Sequence, residues 1–220
     1  MWTAYSAQIL LGTWVTVKLT VVALIAGSVL AMILAAGKLS TRKIIVVICS
    51  GFTAMIRSVP ELLVLFAVYF GGEVVLVKLV GHYVNLDYFV SGTLALSLIF
   101  AAYFSETLRG AYLAIPKGNI TAAHAFGFSA WQRFMHVLFP AMWRYALPSF
   151  GNLCLVLLKD TSIVSLIGLH DLARAAYIAG SATEKPFTFY ALAGVIYLML
   201  THVIMMVNRQ INHKLRISKC

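Results

Sequence analysis

Charge is what this sequence has least of. Asp, Glu, Lys and Arg make up 11% of its 220 residues, about half the share of a soluble domain, and 61% are hydrophobic. So little charge cannot cover a water-facing surface, and the chain is expected to be one membrane domain with little mass outside the bilayer. Cysteine is also scarce. Cys49, Cys154 and Cys220 show neither zinc spacing nor a disulfide frame, and two of them lie in apolar stretches where a free thiol packs as a small hydrophobe. The first positive charge is Lys18, so the amino end lacks the basic start of a cleaved signal peptide. No polybasic run, aromatic RNA-binding pattern or acidic tail is present, which leaves no pattern for nucleic acid.

Catalytic patterns are missing as well. There is no G-x-x-x-x-G-K-S/T element; the nearest, Gly37-Lys38, is followed by Leu39, so the chain has no loop of its own for ATP phosphates. Neither H-E-x-x-H nor G-x-S-x-G occurs. His82, His124, His136, His170, His202 and His213 are scattered without metal spacing. These absences point away from covalent chemistry and toward passage of a solute, with no cofactor in this chain.

What is present is apolar length. A helix crosses the roughly 30 Å hydrocarbon layer in about 20 apolar residues. The sequence predicts an all-α, polytopic membrane protein with five such spans: Leu19 to Ala36, Ile44 to Gly72, Phe89 to Ser105, Tyr145 to Leu169 and Phe187 to Asn208. Residues 1 to 17 are also apolar, with Trp2, Tyr5 and Trp14. They are short for a sixth span if Gly12 bends them, and are expected to lie along the surface. The domain is taken as 1–220, with a core of about 10–212.

The loops divide by charge. One side receives Lys38, Arg42 and Lys43, then Lys117, Arg133 and Arg144, then Arg209, Lys214, Arg216 and Lys219, with no acids. The other holds Lys18, Lys78, Arg174 and Lys185 against Glu73, Asp87, Asp171 and Glu184, and nets to zero. The positive-inside rule assigns the basic side to the cytoplasm, with the amino end outside and the carboxyl tail inside.

Six charges remain within the spans: Arg57, Glu61, Glu106, Arg109, Lys159 and Asp160. Each costs at least about 2.5 kcal/mol at the bilayer centre, so pairing is expected. Arg57 and Glu61 are four residues apart, and Glu106 and Arg109 three apart, both within reach on one helix face. Lys159 and Asp160 are neighbours that point about 100° apart on a helix and need partners on other helices or at a break. Pro60 adds a kink near Arg57. Intramembrane charges either glue helices together or line a polar pathway.

The loop 113–144 is too long for a simple turn. Gly118 and Asn119 open a short helix through Thr121, Ala122, Ala123 and Phe126, and Gly127 supplies a left-handed stop. Ser129 with Gln132 makes a capping-box pattern for a second helix through Trp131 that runs to Pro140. Phe126, Phe128 and Trp131 would then stand in water, which suggests a docking surface for another protein.

With these motifs assembled, the chain resembles the permease subunits of bacterial ABC importers for polar amino acids, over nearly its whole length. The carriers are Arg57-Ser-Val-Pro-Glu-Leu-Leu ending in Tyr69-Phe-Gly, Ala102-Tyr-Phe-Ser-Glu106-Thr-Leu-Arg109-Gly-Ala, Ala114-Ile-Pro-Lys-Gly118 through Gly127, Ala146-Leu-Pro148 with Gly151-Asn152, and Lys159-Asp-Thr-Ser162. One departure is Thr121, which stands where the family's loop motif opens with glutamate. The wording around Pro60-Glu61, Glu106 to Arg109 and Glu184 to Tyr190 is similar to the arginine and histidine branch. The resemblance implies a coupling loop (Gly118, Thr121, Ala122, Ala123, Phe126, Gly127, Trp131) that docks in a separate ATPase dimer holding ATP-Mg. It also implies a second permease copy or paralogue, a periplasmic amino-acid-binding protein and residence in the inner membrane. Acidic groups among Arg57, Glu61, Glu106, Arg109, Lys159, Asp160 and Ser162 would suit a cationic substrate, arginine first. Glutamine, or an ATP-independent transporter or channel, is the alternative.

Overall fold

The structure is a computed structural model that describes residues 2–82 and 86–217, with side chains over 5–82 and 86–212. The side chains of Trp2, His213, Lys214 and Arg216, and residues Lys219 and Cys220, lie outside the described residues. Every described element is helical. In chain order they are α1 (Trp2–Lys38), α2 (Lys43–Ser58), α3 (Glu61–Val80), α4 (Tyr88–Leu113), α5 (Lys117–Ala125), α6 (Ala130–Arg133), α7 (Phe139–Asp160), α8 (Leu172–Thr183) and α9 (Pro186–Ile217). A π-type turn over Phe134–Leu138 joins α6 to α7, and a 3-10 segment over Thr161–Ile167 follows α7. Five helical stretches are long and apolar enough to cross a bilayer: Tyr5–Lys38, Glu61–Val80, Tyr88–Leu113, Ala130–Ile167 and Pro186–Asn212. The all-α, five-span expectation holds.

Helix direction follows from the side-chain contacts. Lys18 sits over Phe89 at 4.9 Å, Ser97 Oγ donates to the Ala23 carbonyl, and Lys38 reaches Glu106. Rising numbers on α1 meet rising numbers on α4, so these helices run parallel. Two parallel spans need a return crossing between them, which α3 supplies. Phe150 packs on Phe100 and Phe104, whereas Val164 meets Gly92, so α7 runs antiparallel to α4. Asn208 of α9 packs on Gly151, which turns α9 back again. Lys38, Arg42, Lys43, Lys117, Arg133, Arg144 and Arg209 therefore share the end of the bundle that carries α5. Small residues let α1 and α4 approach: Ala23, Ala31, Ala95 and Ala101 have no exposed surface. Close contact of this kind, and not a hydrophobic drive, associates helices in lipid.

Four boundaries differ from expectation. Residues 2–17 are not a separate surface helix but the first turns of a 37-residue α1. Gly12 does not bend it. It is the point of closest approach to the Asp171 carbonyl, which an added Cβ would meet at 2.7 Å. The stretch from Ile44 to Gly72 is not one helix. Val59 precedes a proline, which forces it out of the α region; it is extended (φ −103°, ψ 138°), and α2 ends at Ser58. With 16 residues, α2 is about 24 Å long and does not span alone. The second loop helix does not stop at Pro140. The π-type turn widens the ladder ahead of this proline, which has no N–H to contribute, and helical structure runs on into α7. The span expected over Tyr145–Leu169 thus starts earlier and ends in the 3-10 segment.

At the end away from α5, the Asp171 side chain caps α8 by accepting the Arg174 N–H at 2.9 Å. The residue is fully buried, and its Oδ2 has no partner among the described residues. Burial pushes this carboxyl up to about 6, against the lowering effect of the backbone N–H groups of Arg174 and Ala173. A carboxyl raised in the folded state costs stability as pH climbs from its ordinary value near 4 through 6. Asp171→Asn keeps the cap and removes that cost, so it should match or exceed the wild-type unfolding temperature at pH 8, with a smaller advantage at pH 5. Asp171→Ala loses the cap, about 1 kcal/mol, at both pH values. Equal damage from the two substitutions in thermal scans would contradict this account.

Candidate functional site: two groups of intramembrane charges

The charges expected in the spans separate into two groups. The first is built on Glu106. Lys38, the last residue of α1, donates to Glu106 Oε1 at 2.8 Å and to Ser105 Oγ at 2.9 Å, and its side chain has no exposed surface. Arg109 Nε donates to Glu106 Oε2 at 3.0 Å, the i,i+3 pair read from the sequence. Arg57 Nη1 lies 4.0 Å from Glu106 Oε1, with its guanidinium over the Tyr103 ring at 5.4 Å. Three cations thus surround one carboxylate. Two of them, Arg57 and Arg109, keep about two-fifths of their side chains exposed.

Arg57 and Glu61 do not pair, contrary to the expectation from their spacing. The break at Val59-Pro60 puts them on different helices, with Arg57 in the last turn of α2 and Glu61 first in α3. Lys38, counted in the sequence as a loop base, is the innermost member of the Glu106 cluster. Its signal was available: it follows Leu34 by four residues and Ala31 by seven, on the face that α1 buries against α4.

The second group is acidic. Asp160 ends α7, and the charge of Glu61 reaches it. Both are half-buried, and the nearby cation, Lys159, is exposed. No ion pair within 4 Å joins either carboxylate to a base among the described residues. The α-helix gives way to the 3-10 segment here, and neither Lys159 nor Asp160 forms an ion pair within 4 Å among the described residues. Ser162, in the 3-10 segment, turns its hydroxyl back to the Lys159 carbonyl at 2.7 Å. Gly168 closes the segment in a left-handed conformation at φ 115°.

The loop follows its sequence grammar as far as α6. In α5, Gly118, Thr121 and Ala122 are exposed and Ala123 is buried. Thr121 Oγ1 donates to the Lys117 carbonyl at 3.1 Å. Gly127 adopts φ 75°, the left-handed stop, and Ser129 with Gln132 forms the full capping box. Phe126 is 81% exposed and Trp131 65%. No group of three metal-ligating side chains occurs among the described residues.

A family model described as binding-protein-dependent transport system inner membrane component matches residues 3–217. The chain belongs to this family. It is 42% identical over 204 residues to the histidine/lysine/arginine/ornithine transport system permease protein HisQ of Escherichia coli (strain K12), covering 90% of this chain and 89% of that protein. It is 48% identical over 150 residues to the arginine ABC transporter permease protein ArtQ of Haemophilus influenzae, covering 68% of each. A solved structure of an amino acid ABC transporter with histidines has a chain that superposes with a TM-score of 0.84 at 29% identity, covering 96% of both chains. As the membrane component of such a system, the chain is not an enzyme; ATP hydrolysis resides in a separate subunit.

Family membership leaves the two charge groups to be told apart by geometry. The Glu106 group is satisfied and ties α1, α2 and α4 together. Glu61 and Asp160 make no ion pair among the described residues. Glu106→Gln strands the fully buried Lys38 ammonium and should cost about 3 kcal/mol, since removing one partner leaves a buried charge uncompensated. The double substitution Lys38→Met with Glu106→Gln should recover most of that loss in thermal unfolding. A neutral Glu106→Gln would remove the structural role.

Proposed function

We propose that the chain is the permease subunit of an ATP-driven importer that carries a basic amino acid across the bacterial inner membrane, arginine first, then histidine, lysine and ornithine. The observation that carries the substrate class is Glu61 and Asp160, two half-buried carboxyl groups at helix ends that form no ion pair within 4 Å among the described residues. A guanidinium or ammonium relieves their repulsion. Arg57 and Arg109 lie across the break, and the Cα atoms of residues 57 and 61 cannot be more than about 14 Å apart. They supply the opposite pole for the α-carboxylate. Lys159 and Ser162 flank the acidic pole. The basic substrates in the names of the relatives support the same class.

The basic end of the bundle is read as cytoplasmic by the positive-inside rule, with the amino end outside and the carboxyl tail inside. The chain 1–220, with a core of about 10–212, then acts as one transmembrane domain. The exposed knuckle within 113–144, formed by Gly118, Thr121, Ala122, Ala123, Phe126, Gly127 and Trp131, docks in a cytoplasmic ATPase dimer that binds ATP-Mg. Ala123 packs the knuckle from below, and Phe126 and Trp131 offer its contact surface. Thr121 uses its hydroxyl inside α5 and so brings no charge to the contact. A second copy or a paralogue completes the two-fold pore, and a periplasmic binding protein delivers substrate at the opposite end. ATP binding drives alternating access only by favouring one permease state over the other.

Uptake of labelled arginine by the assembled transporter in vesicles tests this reading. Lysine and histidine should compete, and removal of ATP should abolish uptake. Glu61→Gln or Asp160→Asn should lower uptake efficiency by roughly 10- to 100-fold, the worth of one charged hydrogen bond, at unchanged protein level. Preference for glutamine would overturn the substrate class, and uptake without ATP would favour a secondary transporter or channel. Gly127→Pro forces φ to about −65° where the chain adopts 75°. It should abolish co-purification of the ATPase; equal recovery would argue against docking through this knuckle.

A further inference from the structure

From Tyr145 to Asp160 the exposed residues of α7 fall on one stripe. Tyr145, Asn152 and Lys159 are seven residues apart, and Pro148, Ser149 and Val156 stand between them at spacings of three or four. At about 100° per residue, all of these exposed positions share an arc of roughly 100° along the helix. The opposite face is buried: Ala146, Leu147, Gly151, Cys154, Leu157 and Leu158 are enclosed by the bundle. There Phe150 meets Phe100 and Phe104, and Asn208 lies on Gly151. Helix α7 therefore commits one face to the bundle and turns the other outward.

The outward face is the wrong kind for lipid. The stretch Ala130–Ile167 is long and apolar enough to cross a bilayer, yet Tyr145, Ser149, Asn152 and Lys159 put polar groups on its exposed stripe. Neither the Ser149 hydroxyl nor the Asn152 amide has a hydrogen-bond partner among the described residues. Turned toward hydrocarbon, such groups would lose their hydrogen bonds to water and gain nothing in return. The same chain shows what a lipid-facing surface is made of. On α1 every exposed residue between 21 and 36 is apolar, Val21, Ile25, Val29, Met32 and Ile33 among them.

The two ends of the stripe say what it faces. It begins at Lys159, beside Asp160 and Ser162, and ends at Tyr145, beside Arg144 at the basic end of the bundle. Asn152 lies eight residues from Asp160 and eight from Arg144, about 12 Å from each along the axis. Between Arg144 and Lys159 there is no charged residue. Hydroxyl and amide groups both donate and accept, so they can serve an ammonium and a carboxylate in turn. Being uncharged, they hold neither tightly, and a path conducts only where binding is weak enough to release.

We infer that this face of α7 lines the half of the translocation path between Asp160 and the basic end: an uncharged polar track for an amino acid that has left the acidic pole. The inference rests on the reading of Glu61 and Asp160 as the substrate site.

Single cysteines test it in the assembled transporter in proteoliposomes, with Cys49, Cys154 and Cys220 replaced by alanine. The probe is a charged, membrane-impermeant methanethiosulfonate, applied with and without ATP. Ser149→Cys and Asn152→Cys should react about tenfold faster or more than Val29→Cys on the lipid-facing side of α1, because the reactive thiolate forms only where water reaches it. Modification at 152 should stop uptake. Asn152→Leu should lower the maximal uptake rate several-fold with the unfolding temperature and recovery of the second permease undiminished, and Asn152→Ser should restore most of the rate. Reaction at 149 and 152 as slow as at 29 under both nucleotide conditions would overturn the track. Loss of the second permease from Asn152→Leu would make the face a subunit interface and overturn it as well. So would fast reaction with uptake indifferent to both the modification and Asn152→Leu. Fast reaction and blocked uptake in a transporter that prefers glutamine to arginine would leave the track standing and sink the reading of Glu61 and Asp160 instead.

Discussion

An ammonium group with neither water nor an anion beside it cannot rest inside a bilayer, and Lys38 has Glu106. That contact fixes the register of α1 on α4, the two helices whose parallel packing defines the bundle. Once they are parallel, the chain must return exactly once between them. The break at Val59-Pro60 separates the 16-residue α2, whose last turn brings Arg57 to Glu106, from the 20-residue α3 that makes the crossing. The direction of α7 and α9, and the collection of bases at one end, follow from the same constraint.

The five intramembrane charges left outside the Lys38–Glu106 pair, Arg57, Glu61, Arg109, Lys159 and Asp160, have different environments, and the proposed function rests on that difference. Arg109 and Arg57 lean on a carboxylate already held by Lys38, so they retain attraction for a further anion. Glu61 and Asp160 gain nothing from each other. Asp160 is also badly sited: it ends a helix, where the carbonyl groups already carry partial negative charge. Fold stability does not account for a carboxylate there, and the proposal that it serves a cationic substrate rests on this. Natural proteins accept such local costs at functional positions.

Much of this was legible in the sequence. Apolar runs of span length could be counted because a bilayer sets that length. The stop at Gly127 and the capping box at Ser129 could be named because they depend on residues within four positions. Glu106 with Arg109 was readable for the same reason. What failed depends on distant partners. Gly12 looked like a bend because a lone glycine in an apolar run gives no hint that the Asp171 carbonyl will press on it. Arg57 and Glu61 looked like a helical pair because spacing was weighed above the backbone demand of the proline between them. Lys38 looked like a loop base because its partner lies 68 residues away.

The claim on which the account turns is that Asp160 is kept for a ligand at the expense of the fold. The most direct measurement is the unfolding temperature of the purified transporter carrying Asp160→Asn, without substrate, at pH 8. The substitution removes the repulsion from Glu61, the clash with the end of α7 and the cost of a half-buried charge, so the variant should unfold at a higher temperature than wild type. A clear drop in unfolding temperature would mean that Asp160 holds the structure together, and the assignment of the acidic pair to substrate would be contradicted.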